Sequence, residues 1–366
     1  MTEHDPIRPE DRDPGQPSGD PGPGTVLVTG VARDLGAHFA RDLAATGVEV
    51  VGVDLTPPQH DLGHARFVRG DITSPTIATV LRRSSARTVV HLALVSASGS
   101  GHTRSSAKEI NVLGAMQLFA ACQHSDTVRK LVVQSSISVY GASPRTPARF
   151  TEDMSDAHQP TSGLGKDAVE VETYARGLAR RRPDCVVTTL RLANLMGADH
   201  RSQITRWLSL PVVPRVLGFD ARLQFLHPDD AVAALRLVTE QDVPGTYNVA
   251  ADDVVTLSQA LGLLGRPSVG VVQQAMPTVL PTMRRLGVVG FTRDELDALT
   301  HGRVMDVARF TAASGFTPAH TSAGALAEFV ASAPPGLLGA DRVEAGLARV
   351  GTVVRRVGRT IDGMRR

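Results

Sequence analysis

The stretch Gly24 to Gly36, GTVLVTGVARDLG, constrains this chain more than any other. Thr25 to Thr29 is a β-branched apolar run short enough for a central parallel strand, and Gly30 follows where the backbone must turn sharply. The helix after it, about Leu35 to Thr46, aims an amide-rich N-terminus at whatever lies above the strand end, which suits a pyrophosphate. Val48 to Val53 reads as a second strand. Asp54 at its end stands where a carboxylate accepts a ribose 2′-hydroxyl, favouring NAD over NADP. The alternative is an ordinary βαβ unit with a chance glycine-rich turn.

The same alternation continues. ARFVRGDI is a third strand ending at Asp71, whose carboxylate can accept from an adenine amine or cap the segment Pro75 to Arg83. Thr88 to Leu94 is apolar throughout, as a strand covered on both faces must be. A helix over Ser105 to Cys122 carries Asn111, with Gly114 and Ala115 permitting close packing on the sheet. The strand Lys130 to Gln134 ends at Ser135 and Ser136, whose hydroxyls emerge at the carboxyl edge. A helical period over Gly163 to Arg182, carrying Lys166, precedes the strand Val186 to Leu192. This pattern predicts an α/β fold: a Rossmann-like, doubly wound parallel sheet.

Domain boundaries follow from where the pattern stops. Residues 1–23 are rich in Pro, Gly and Asp with nothing to bury, and read as disordered. Residues 24–195 form the dinucleotide-binding domain, rejoined by 226–250, where the capped helix His227 to Glu240 precedes the strand GTYNVA. Residues 196–225, with the single tryptophan Trp207, and 251–335 form a smaller substrate-side domain, mainly helical from 256 to 332. In 336–366, Val343, Leu347, Val350, Val354, Val357, Ile361 and Met364 draw an apolar stripe on one face of a basic helix. Such a helix lies on an anionic membrane surface, pairs with another chain, or packs on its own domain.

A net charge of +2 argues against a nucleic-acid binder. Only Lys108, Lys130 and Lys166 are lysines among many arginines, which makes a lysine in a functional position informative. Cys122 and Cys185 have no motif-spaced partners, pointing to a reduced, cytoplasmic setting without disulfides and away from a metal site. No run matches a transmembrane helix or a secretory signal.

Taken together, TGVARDLG, Asp54, RGDI, VVHLA, NVLGAMQL, SSISVYG, the Lys166 helix, RLANLMG and FLHPDD resemble the extended short-chain dehydrogenase/reductase family. Within it the match is to NAD-dependent epimerase/dehydratases similar to UDP-glucose 4-epimerase, over about residues 24 to 335, with GRVMDVARF and SGFTP resembling the closing segment. The resemblance implies NAD held by Gly30, Arg33, Asp34, Leu35, Gly36, Asp54, Asp71, Ile72, Leu92, Ala93, Asn111 and Lys166. It also implies a nucleotide-sugar substrate contacted by Asn194, and a homodimer formed through the helices near 105–122 and 163–182. Family chemistry has a tyrosinate, its pKa lowered by a lysine four residues on, removing a hydroxyl proton while hydride moves to the nicotinamide; a serine steadies the same oxygen.

Here Ser136 matches that serine and Lys166 that lysine, but Ser162 occupies the tyrosine position. A serine hydroxyl is far too weak an acid to ionise as a phenol beside a lysine can. Tyr140 could swing in, Glu152 or Asp153 could act, or the site could bind without turnover. Arg33 replaces the middle glycine of the phosphate turn, where it either clashes with a phosphate or clamps one. Leu223 stands where family members often carry a sugar-nucleotide arginine, and Arg222 is one place off. Two readings result: an epimerase/dehydratase-like oxidoreductase with an atypical site, and a catalytically silent NAD-binding module.

Overall fold

The computed structural model describes residues 24–97, 102–154, 159–198, 200–272 and 292–333. The amphipathic stripe of 336–366 and the segment 1–23 lie outside the described residues.

Six strands follow in chain order: β1 (Val26–Thr29), β2 (Val50–Asp54), β3 (Arg66–Arg69), β4 (Thr88–His91), β5 (Lys130–Ser136) and β6 (Val186–Leu192). With Gly245–Val249 they make a seven-stranded sheet in the order β3-β2-β1-β4-β5-β6 and then Gly245–Val249. Every pairing is parallel; Val28 sits between Gly52 and Val90 in register. The order reverses between β1 and β4, and that switch point opens a crevice at the carboxyl edge.

Burial explains why β1 is a central strand. Val26 and Val28 belong to the core on the side of helix α1 (Asp34–Ala45), which also holds Phe39 and Leu43. Leu27, between them, belongs to the core on the opposite face, with Leu81, Leu118 and Leu178. Period two with both faces apolar is the signature of a strand covered by helices on each side. The Pro228–Glu240 helix packs beside α1, tied by Arg236 Nη1 and Asp42 Oδ2 at 3.2 Å.

Two local expectations are corrected. The helix foreseen over Ser105 to Cys122 is three pieces: Arg104–Lys108, a π-helical stretch Glu109–Gly114, and Ala115–Gln123. The wider turn carries Asn111 into the sheet edge, where its amide pairs with the backbone of Val95. The described residues from 256 on are mainly helical, with two short pairings beside them: Ser268–Val271 lies parallel to Val213–Val216, and Val255–Thr256 antiparallel to Arg222–Leu223. The third strand stops at Arg69, short of Asp71. A separate core of Met196, Trp207, Phe225, Leu261 and Phe329 gathers the parts beyond Asn194. No helix among the described residues is long and apolar enough to cross a membrane.

Candidate active site

The phosphate turn is built by two close approaches. Gly30 has φ +87°, and a Cβ there would meet the backbone of Leu92 and Ala93 at 2.7–2.8 Å. A Cβ at Gly36 would lie 2.2 Å from the Gly30 carbonyl oxygen, so helix and turn touch only because both residues are glycine. Arg33, between them, is the N-cap of α1 with an extended backbone (φ −107°, ψ 154°) that any residue adopts. Burial lowers its guanidinium pKa, against the pull of Asp54 and Asp34.

A cleft runs from this turn over the ends of β2, β3 and β4, lined by Gly30, Arg33, Asp54, Asp71, Ile72 and Ala93 together with Ala32, Val95, His102 and Ile110. Asp54 Oδ2 accepts from the Ala32 amide at 3.0 Å and Oδ1 from Leu55 N at 2.8 Å, so the carboxylate braces the turn while facing the cleft. Asp71 Oδ1 accepts from the amide and hydroxyl of Thr73. It therefore shapes a turn and does not cap the Ile77–Ser84 helix. Tight glycines, a helix N-terminus and an acid at the end of β2 are the donor and acceptor set that an adenine dinucleotide requires.

Leu92, Leu35, Asp34 and Asn111, expected at the cofactor, are not among the residues lining this cleft. Leu92 is buried; Leu35 packs against the core; Asp34 Oδ1 accepts from His60 Nε2 at 3.0 Å. Asn111 is fully buried and spends its amide on Val95 and on Asp167 Oδ2 at 2.9 Å. Arg104 grips Asp167 with both terminal nitrogens at 2.5 Å. This network was not foreseen, because its members are far apart in the chain.

A second cleft is lined in part by Ser96, the chain neighbour of Val95 in the first. Ser136, Asn194 and Arg222 all line it, and so do Ser138, Gln203, Glu295 and Arg303, which sequence reading had not singled out. Arg303 stands in the GRVMDVARF segment and donates to the Tyr140 carbonyl at 3.0 Å. Burial lowers its pKa to about 10, with Glu295 and Asp294 opposing. Ser136 Oγ donates to Ser138 Oγ at 3.1 Å.

The residues that the resemblance puts at the acid/base positions have partners of their own. Ser162 is the N-cap of the Gly163–Arg181 helix, and its hydroxyl donates to Asp294 Oδ2 at 3.0 Å. The same oxygen accepts from the amides of Thr161 and Ser162 at 2.9 and 2.8 Å, so Asp294 latches the start of the Gly163–Arg181 helix to the Arg293–His301 helix. Lys166 is exposed and makes no side-chain hydrogen bond or ion pair with a described residue. Tyr140 does not face the cleft with its hydroxyl: it donates to Asn248 Oδ1 at 2.7 Å and accepts from Arg191 Nη1 at 2.8 Å. Burial pushes that phenol up to about 12, the wrong direction for a base. Glu152 accepts from the Asn248 amide, and Asp153 pairs with Arg309 at 3.2 Å.

Sheet order, phosphate turn and paired clefts define a dinucleotide-binding α/β protein with a substrate-side domain. Residues 26–250 match the model of the NAD dependent epimerase/dehydratase family. The chain belongs to that family. It is 41% identical over 314 residues to Uncharacterized protein Rv0501 of Mycobacterium tuberculosis, covering 84% of this chain and 83% of that protein. It is 27% identical over 274 residues to dTDP-4-dehydro-6-deoxy-D-allose reductase of a Streptomyces species, covering 66% and 82% respectively. Among solved structures, MoeE5 in complex with UDP-glucuronic acid and NAD superposes with a TM-score of 0.66 at 25% identity, over 84% of this chain and 98% of that one.

Proposed function

We propose that the protein binds NAD across the β1–β4 crevice and a nucleotide sugar, or a related hydroxyl substrate, in the second cleft, as an epimerase/dehydratase-type oxidoreductase with an atypical proton-handling site. The observation that carries this reading is that consecutive residues, Val95 and Ser96, line the first and the second cleft, with Ser136 and Asn194 in the second. When bound, NAD supplies the hydride acceptor for transient oxidation of a hydroxyl. On this reading Arg33 clamps the pyrophosphate and Asp54 the adenine ribose. Lys166, exposed on its helix, reaches the nicotinamide ribose, and Ser136 steadies the substrate oxygen. Arg222 and Arg303 place two cations where a diphosphate needs them. The helix bearing Leu113 and Met116, 37% and 40% exposed, supports a homodimer.

Titration calorimetry with NAD and NADP, followed by UDP- and dTDP-hexoses with NADH absorbance monitored, tests the proposal. No affinity for either dinucleotide sinks it. One observation favours a second reading, a catalytically silent NAD-binding module: the hydroxyl of Ser162, the residue that the resemblance puts at the tyrosine position, is bound into the Asp294 latch. Robust wild-type turnover removes that reading. It strengthens if wild type binds NAD and Ser162→Tyr gains no activity.

A further inference from the structure

Oxidation of a substrate hydroxyl needs a proton acceptor, and the side chains weighed for that part are committed elsewhere. Ser162 donates to Asp294, Tyr140 is bound to Asn248 and Arg191, Glu152 accepts from the Asn248 amide, and Asp153 pairs with Arg309. The Asp294 contact also fixes a position. It brings the start of the Arg293–His301 helix against Ser162, the residue that the resemblance puts at the tyrosine position. Glu295 is the next residue on that helix, and it lines the second cleft together with Ser136. Among the described residues of that lining, the ionisable side chains are Arg222, Arg303 and Glu295, and arginines hold their protons at neutral pH. Glu295 is thus the one carboxylate, and the one base, that the cleft offers.

Its carboxylate is fixed through one oxygen and open through the other. Oε2 accepts from the Thr292 amide at 2.7 Å and from Gln203 Nε2 at 3.0 Å, the first bond closing a capping box at the helix start. Oε1 makes no hydrogen bond with a described residue, so its lone pairs are open to a ligand hydroxyl.

We propose that Glu295 is the catalytic acid/base of the atypical site, in place of the missing phenol. This rests on the epimerase/dehydratase reading above. Ser136 steadies the reacting hydroxyl and Glu295 Oε1 accepts its proton, while the hydrogen on the same carbon leaves with its electron pair to bound NAD and a ketone remains. Return of that hydride to the carbonyl carbon, and of the proton from the Glu295 carboxylic acid to the oxygen, restores an alcohol and the carboxylate. No further reactant is consumed. Asp294, spent on Thr161 and Ser162, positions the helix, and Gln203 and Thr292 orient the carboxylate. A carboxylate is a weaker base than a tyrosinate, so slow turnover is expected.

The test compares the full chain with Glu295→Gln. Glutamine also serves in a capping box, so the thermal midpoint should hold and the calorimetric affinities for NAD and for UDP-glucose or dTDP-glucose should stay within about threefold. Turnover of the bound hexose nucleotide should fall by about 10²-fold or more. Glu295→Ala leaves a gap that added formate can fill, and formate should restore part of the lost turnover, which a merely structural residue would not show. A readout independent of turnover is 13C NMR of protein labelled at glutamate Cδ: the Glu295 signal, identified by its loss in Glu295→Gln, should move when the hexose nucleotide is added. Turnover in Glu295→Gln within about threefold of wild type overturns the assignment and leaves the epimerase/dehydratase reading standing. So does a Glu295 signal that the hexose nucleotide does not move. Wild type that binds both ligands without turning over overturns it in favour of the silent module, and wild type with no affinity for NAD takes down both.

Discussion

His91 offers the sharpest physical prediction. It ends β4, two residues before Ala93 of the first cleft, and is 1% exposed between β1 and the Phe119 ring. Nδ1 pairs with Thr29 Oγ1 at 2.8 Å, while Nε2 has no partner among the described residues. A protonated ring would need a second acceptor that is not there, and burial holds the pKa down from 6.5 to about 4. The folded state keeps the ring neutral while the unfolded chain protonates it near 6.5. Stability is therefore fully present above pH 6.5, declines as pH falls from 6.5 to about 4, and levels off below that. At about 1.4 kcal/mol per pH unit, the interval is worth roughly 3 kcal/mol. Urea unfolding of wild type and of a Thr29→Val/His91→Leu double variant, followed from pH 7 to pH 4, isolates this contribution. Removing both partners leaves no orphaned hydroxyl and is near neutral at pH 7. Wild type should lose roughly 3 kcal/mol more than the variant on acidification. Parallel curves, within about 0.5 kcal/mol, would refute the assignment of a neutral buried imidazole.

Other outcomes can be checked directly. Gly36→Ala forces a Cβ to within 2.2 Å of the Gly30 oxygen, so it should destabilise by about 1–3 kcal/mol and abolish measurable NAD binding by calorimetry. Glu172→Gln leaves Arg191 unpaired at a site where both side chains are at most 3% exposed; a loss of about 3–5 kcal/mol is expected in denaturant titration. Asp294→Ala deprives the start of the Gly163–Arg181 helix of its acceptor, at a cost of about 1–2 kcal/mol, whereas Ser162→Ala costs less because the two amides keep their carboxylate. Leu113→Glu with Met116→Glu should shift the protein to a smaller species in size-exclusion chromatography with light scattering; an unchanged mass removes that helix from any dimer interface.

Much of the nucleotide half was legible from local order. The β1 run, Gly30, the helix start and Asp54 are contiguous, and each is dictated by backbone geometry or by period-two burial, which neighbouring residues alone determine. Arg33 was legible as a departure, though only the structure shows it lining a cleft together with Asp54. Tyr140 illustrates the opposite case. Its hydroxyl is claimed by Arg191 and Asn248, and Asn248 lies 108 residues away, so no pattern near SSISVYG could reveal that the phenol is committed. The lone arginine in VVTTLRL was the one local hint, since a charge within a buried strand must find a partner.

Sequence alone determined the sheet, its parallel sense and the glycine turn, because strand period, turn chemistry and helix capping act over a few residues. Only the tertiary structure decided what the polar groups do. Ser162 meets Asp294, Asn111 meets Asp167, and His227 meets His320 across long separations, and whether a hydroxyl, amide or imidazole is spent or available depends on which partner the folded chain brings within hydrogen-bonding distance.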